Sequence, residues 1–258
     1  MDLTAWQPHA EAMRSYHEGN AAAVIVVYDD FGRDDVPVSY FFRDPGQFLP
    51  YERDALDLCR GRVLDVGAGS GGHSLELQAR GMDVMAIEVL PQLSRILRQR
   101  GVRQVRTATW MDLDAGTFDT VLMLMNGLGL TETLDGLGRF FRHAPRLLRP
   151  GGQVLADSTD VRVRMDPDAG KTGRLNRPDG RYIGELHFQL EFEGEKGPPF
   201  GQLYVDPDTL KRSAESAGWS REIIRGPDDS GHYLARLTVR QPEPATLHRP
   251  SNPGSSAG

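Results

Sequence analysis

The sequence has 258 residues, enough for one α/β domain with decorations and too few for two large domains. A net charge of −6 at pH 7 argues against the broad basic surface that nucleic acid requires. With 39% hydrophobic residues and no apolar run near the roughly 20 needed to span a bilayer, the chain reads as a soluble globular protein with no membrane partner.

The N-terminus is polar and lacks the basic start and apolar core of a secretory signal, so a cytoplasmic location is expected. Residues 1–60 are expected to form a mostly helical, aromatic cap that includes an apolar stretch from Ala21 to Tyr28. Pro50 suits the first turn of a helix carrying Tyr51, Ala55, Leu58 and Cys59 at intervals of three and four, which Gly61 would stop. Cys59 is the single cysteine; it excludes an intrachain disulfide and is expected to pack in the interior.

Residues 61–240 form the main domain. Apolar stretches at Arg62–Val66, Asp83–Glu88, Val102–Ala108, Thr120–Met125 and Gln153–Asp157 alternate with helical ones, a pattern that builds a mostly parallel sheet covered by helices. Arg95, Arg98, Arg100, Arg103 and Arg106 are read as a solvated face. Leu134, Leu137, Phe141, Ala144 and Leu148 mark one face of a helix that Pro145 should bend. Residues 160–181, rich in Asp, Arg, Gly and Pro, read as a loop.

Over 182–206 the period changes. Leu186, Phe188, Leu190 and Phe192 alternate with polar residues, the mark of a half-buried strand, and Phe200–Val205 returns as its partner after a turn at 194–199. This inserted hairpin has an apolar face that must pack on the sheet, a helix or another subunit, so a homodimer is one expectation. A helix over Asp208–Ala217 and strands near Glu222–Arg225 and His232–Val239 complete the domain. The Pro-, Ser- and Gly-rich tail, 241–258, is expected to be disordered.

The chemistry concentrates in Val63-Leu64-Asp65-Val66-Gly67-Ala68-Gly69-Ser70-Gly71-Gly72-His73, an apolar strand running into a glycine-rich turn and a helix. Glycines there let backbone approach a ligand closely, beside the unpaired N–H groups of a helix start. Read alone, Gly67, Gly69 and Gly72 fit a dinucleotide fingerprint, which keeps a nicotinamide-dependent oxidoreductase as an alternative. Asp65 at the strand's end favours a cationic sulfonium and ammonium over a pyrophosphate.

The stretch VLDVGAGSG, Glu88 closing the next strand, and LLRPGGQVL before the fifth strand resemble the class I S-adenosylmethionine-dependent methyltransferases over roughly residues 50–158. More narrowly, PVSYFFRDPGQF, LMLMNGLGL and FEGEKGPPFGQLYVD look like a bacterial group of that family whose substrate is unassigned. The resemblance implies a Rossmann-like seven-stranded sheet whose sixth and seventh strands form an antiparallel edge. It implies S-adenosyl-L-methionine as cofactor and S-adenosyl-L-homocysteine as product. Gly67, Ala68, Gly69 and Gly71 would line the methionine moiety with Asp65 behind them, and Glu88, followed by Val89, would receive the ribose hydroxyls. Asp112 would receive the adenine amino group, with Trp110 or Met111 packing on the ring, and Asn126 would face the methyl group or the acceptor.

Methyl transfer needs in-line positioning and, for oxygen or a protonated nitrogen, removal of a proton. The expected reaction is methylation of a small molecule or peptide on oxygen or nitrogen, with a non-catalytic cofactor-binding protein as a further alternative. No single base is selected. The candidates are Asn126, Tyr16, His17, Asp157 and His187, and the candidate acceptor contacts are Tyr16, Arg43, Asn126 and His187, with Arg43 pairing to a carboxylate of cofactor or substrate. His73 is assigned to helix-end packing. No metal motif is found, and there is no Asn-Pro-Pro-Tyr run of the kind found in amino-methylating enzymes of nucleic acids or glutamine.

Overall fold

The computed structural model describes residues 2–113, 118–165 and 180–240. A short turn leads into α1 (Gln7–His17), and the chain then forms a hairpin of β1 (Val24–Asp29) and β2 (Gly32–Pro37), in a region expected to be mostly helical. The run Val24-Ile25-Val26-Val27 explains the difference, because β-branched side chains are stiff and pack well on a pleated surface.

From α2 (Pro50–Leu58) the expected alternation appears: β3 (Arg62–Val66), α3 (Gly72–Ala79), β4 (Asp83–Glu88), α4 (Pro91–Gln99), β5 (Gln104–Thr107) and β6 (Phe118–Met123). Next come α5 (Leu134–His143) and β7 (Leu148–Thr159). Pro145 ends α5 rather than bending it, and the chain tightens into a separate turn at Ala144–Arg146. The remaining elements are α6 (Arg162–Met165), β8 (Glu185–Phe192), β9 (Glu195–Lys196), β10 (Phe200–Leu203), α7 (Pro207–Ser216), β11 (Trp219–Arg225) and β12 (His232–Val239). Most of the expected 160–181 loop, and the tail from 241, lie outside the described residues.

Seven strands build the main sheet in the order β11-β12-β7-β6-β3-β4-β5. The five from β7 to β5 are parallel, while β12 runs antiparallel to both β7 and β11, so the edge is antiparallel as the resemblance implies. Alternate residues of β6 serve opposite faces. Val121 and Met123 join the core beneath α5 and α7, with Leu137, Phe140, Phe141 and Leu210, whereas Leu122 joins Ala55, Leu56 and Leu77 of α2 and α3. Burial on both faces is why the central strands read as continuous apolar runs.

A second, antiparallel sheet has the order β10-β8-β1-β2, with β9 also on β8. The N-terminal segment and the 182–206 insertion, far apart in sequence, therefore share one sheet in which Val27 faces Leu190. Leu186, Phe188, Leu190 and Phe192 are all buried within the chain, so that face needs no second subunit to cover it. Met13 and Ala10 of α1, Ile25 of β1 and Leu190 of β8 pack with Leu90, Leu93 and Ile96 beyond β4, joining this cap to the main sheet.

Candidate active site

A cavity of about 420 Å³ lies at the carboxyl ends of β3, β4 and β6, walled on its other side by α1, β1, β8 and β10. The strand order reverses at β3, which is where open α/β sheets leave a ligand crevice. The glycine turn forms its floor. Gly67 and Ala68 donate to the Ile87 carbonyl at 3.0 and 3.1 Å, tying the turn to β4. Gly69 adopts φ +55°, and no side chain approaches the place of its missing Cβ, so its backbone lies open to the cavity. Gly71 departs from the expected role. At φ +91° a Cβ there would lie 2.7 Å from Leu97, so this glycine permits packing of the turn against α4 and does not reach the wall.

Two buried carboxylates stand beside the turn. Asp65 accepts from the Ser74 hydroxyl at 2.6 Å, and burial holds its carboxyl above the usual range despite that bond and the nearby His73. Glu88 accepts from the Gly69 N–H at 3.1 Å with one oxygen and from the Val89 and Leu90 N–H groups at 2.8 and 3.2 Å with the other. Burial raises its pKa, with those three bonds opposing. Further round, Thr109, Trp110 and Met111 form the wall after β5. Trp110 also packs edge-on to Phe140 at 5.3 Å and so serves the core as well. Asp112 turns away: the Thr109 N–H and hydroxyl donate to it at 2.9 and 2.7 Å, capping its own turn, and it does not line the cavity.

After β6 the chain takes two left-handed residues in succession, Met125 at φ +64° and Asn126 at φ +58°. Asn126 reaches the cavity, and its side-chain Oδ1 is buried without a hydrogen-bond partner among the described residues. Asp157 is fully buried beneath this loop, accepts the Gly127 N–H at 2.9 Å and pairs with His232 at 2.9 Å. It braces the loop instead of facing the cavity.

Other expected contacts fall outside the site for geometric reasons. From Trp6, just before α1, the inward spacing runs to His9 and Met13 on the helix, and its next step, Tyr16, lies beyond the cavity with its ring 4.7 Å from that of Phe42. His17 meets Gln99 at 3.1 Å on the exposed side. On β8 the alternation turns Phe188 and Leu190 toward the cavity, which leaves His187 exposed on the opposite face, beside Asp30. Arg43 does line the cavity, but its charge is already matched by Glu52, to which Nη1 and Nη2 each donate at 2.9 Å.

A family model described as a methyltransferase domain matches residues 64–156. The S-adenosylmethionine-dependent methyltransferase of Bacteroides fragilis, solved with S-adenosyl-L-homocysteine, is 36% identical with a TM-score of 0.80, covering 92% of this chain and 97% of that one. The chain belongs to the class I S-adenosylmethionine-dependent methyltransferases. The ubiquinone biosynthesis O-methyltransferase of Xanthomonas oryzae is 33% identical over 115 residues, 42% of this chain and 46% of that enzyme, so the methyltransferase matches under half the length of this curated relative. The CcbJ methyltransferase of Streptomyces caelestis shares the fold, with a TM-score of 0.59 at 18% identity over 78% of this chain and 92% of that one.

The family sets S-adenosyl-L-methionine in place of the nicotinamide dinucleotide that the glycine fingerprint alone left open. The cavity suits it: an open glycine turn, and the acids Asp65 and Glu88 for a cationic ligand. Among the described residues no helix is long and apolar enough to cross a membrane. Sequence reasoning missed several wall residues of this methyltransferase. His73, assigned to packing, lines the cavity and bonds Glu52 at 2.8 Å. Glu52 had a local signal, third in a proline-started helix where its carboxylate accepts the Leu49 N–H at 2.7 Å. Arg100, read as solvated, donates to the Ser70 carbonyl at 2.7 Å and supports the turn. Gln202 and Tyr204 lay in the FEGEKGPPFGQLYVD stretch without an assigned role and His9 carried no signal, because only the cap's tertiary pairing brings these residues to the wall.

Proposed function

We propose that this methyltransferase methylates an oxygen or nitrogen of a small molecule held between the glycine turn and the cap. One observation carries the reading: a single cavity joins the cofactor-side residues Gly67, Gly69, Asp65 and Glu88 to a wall of Ile25, Tyr40, Phe188, Leu190 and Phe200. A bound cofactor supplies an electrophilic methyl group on a sulfonium. In this reading Gly67, Ala68, Gly69 and Asp65 hold its methionine end, Glu88 and Val89 its ribose and Met111 its adenine, and Asn126 orients the acceptor. Glu88 keeps one acceptor site, on the oxygen that Gly69 reaches, since a carboxylate offers about four lone-pair sites and three N–H groups occupy the rest. The cap over one side of the cavity favours a compact acceptor over a long peptide, and the O-methylation named for the Xanthomonas relative supports oxygen as the target. A cytoplasmic metabolite fits this setting.

Calorimetry with S-adenosyl-L-homocysteine and NAD tests the cofactor assignment. The parent should bind the former and ignore the latter, and Glu88→Ala should weaken binding by about 1.5 to 3 kcal/mol, the scale of hydrogen bonds to a charged group. Equal binding by Glu88→Ala would remove the ribose role. Incubation with methyl-labelled S-adenosyl-L-methionine and a bacterial metabolite extract then tests transfer; cofactor binding with no labelled product would favour a non-catalytic binding protein.

A further inference from the structure

His9 is an imidazole to which no described residue of the methyltransferase hydrogen-bonds. It lines the cavity from α1, its ring set edge-on to Trp6 at 5.9 Å and to Phe41 at 5.0 Å. Both neighbours meet it as aromatic rings, and no described residue offers either ring nitrogen a partner. A neutral imidazole carries one donor and one acceptor, and leaving them unpaired in a protein wall is costly unless a ligand or water supplies the bond. Burial pushes His9 down to about 4, so near neutral pH the ring is uncharged and one nitrogen presents a lone pair. Phe41 fixes the ring's place relative to the cofactor side, because its carbonyl accepts the Ser70 hydroxyl of the glycine turn. The cap side of the wall is mostly aromatic and aliphatic, with Trp6, Tyr40, Phe41, Phe188, Leu190 and Phe200 beside the polar Gln202 and Tyr204. Flat rings of this kind pack best against another flat apolar body.

We propose that the cap half of the cavity takes a flat, largely apolar acceptor bearing a hydroxyl, and that His9 accepts the hydroxyl proton during methyl transfer. The inference rests on the methyl-transfer reading above. A bond forms between the acceptor oxygen and the methyl carbon while the carbon–sulfur bond breaks, leaving its electron pair on sulfur. The oxygen grows strongly acidic as that bond forms, so a weak base suffices to take its proton, and the resulting imidazolium returns the proton to water as product departs. His9 is thus a catalytic residue in contact with the acceptor.

Equilibrium dialysis of 2-naphthol and naphthalene against the full chain saturated with S-adenosyl-L-homocysteine tests this directly. The parent should bind 2-naphthol about tenfold more tightly than naphthalene, the discrimination expected of one buried hydrogen bond. His9→Phe should erase that preference and His9→Gln, which keeps an acceptor, should retain it, with the affinity for S-adenosyl-L-homocysteine unchanged in both. A parent that fails to bind 2-naphthol, or the same preference in His9→Phe, overturns the assignment. Either result with S-adenosyl-L-homocysteine still bound leaves the methyl-transfer reading standing; loss of that binding in the parent removes both.

Discussion

Glu52 has no exposed surface, yet its carboxylate receives both Arg43 nitrogens, the Leu49 N–H and His73. Burial alone would raise its pKa; the bond from His73, the Leu49 N–H and the charges of His73 and Arg43 outweigh it and hold the carboxyl below its ordinary value. A carboxylate lowered in the folded state adds stability that is complete above the unfolded value, about 4.3, and that is lost as pH falls through the folded value. Glu52→Gln should therefore cost about 3 kcal/mol at pH 7, because it leaves a nearly buried arginine without its counter-charge. Urea unfolding at pH 7 and pH 3 checks this: the gap between parent and variant should narrow at the lower pH, and a constant gap would mean that Glu52 acts by packing alone. The cluster also shows where residue-level reading stops. Pro50 and Glu52 offer the local pattern of a capping acid, which the sequence reading passed over, and its pairing with Arg43 and His73 depends on how three segments meet.

At the scale of elements, the loop after β6 carries a conformation that its residues do not favour. Met125 and Asn126 both occupy the left-handed region, and the Asp157 carboxylate pins the following N–H at 2.9 Å. Such strain persists only where the surroundings enforce it, and it clusters at functional sites. Asn126→Gly should relieve it, raising stability by up to about 1 kcal/mol, while removing the amide from the cavity. The expected outcome is a melting temperature equal to or above the parent's, unchanged S-adenosyl-L-homocysteine affinity, and a large loss of label transfer to whichever acceptor the extract yields. Full transfer by Asn126→Gly would show that the amide has no part in orienting the acceptor. Elements with local signatures were legible: the glycine turn, the apolar parallel strands and the two-residue alternation of β8. That alternation grouped Leu186, Phe188, Leu190 and Phe192 on one face but could not say which face meets the cavity, and His187 was placed on the wrong side for that reason. The β1–β2 hairpin was missed because its strand partner, β8, lies in the far half of the chain.

The whole molecule couples its two sheets through one apolar core, and this changes what removal of the N-terminus should do. If the N-terminal segment were only a lid, a chain lacking residues 1–40 would keep its fold and lose turnover. Instead β1 lies between β8 and β2, and α1 covers Leu90, Leu93 and Ile96 next to Glu88. Truncation would leave β8 with an unpaired edge and expose both the α4 side chains and the inner face of Leu190 and Phe192. At about 25 cal/mol for each Å² of apolar surface, uncovering several such side chains costs several kcal/mol, a large share of a domain's net stability. The cores beneath α5 and α7 and beneath α2 and α3 draw no residue from the first 40, so the main sheet should survive in part. The expected product is a chain with near-native secondary structure, a lowered and broadened melt, exposed apolar surface that binds a hydrophobic dye, and weakened S-adenosyl-L-homocysteine affinity through the loosened Glu88–Leu90 segment. Far-ultraviolet circular dichroism, dye fluorescence and calorimetry on the truncated chain read these together. A truncated chain that melts like the parent while losing only methyl transfer would restore the simple lid, and one that also methylates at the parent rate would place the acceptor site outside the cap altogether.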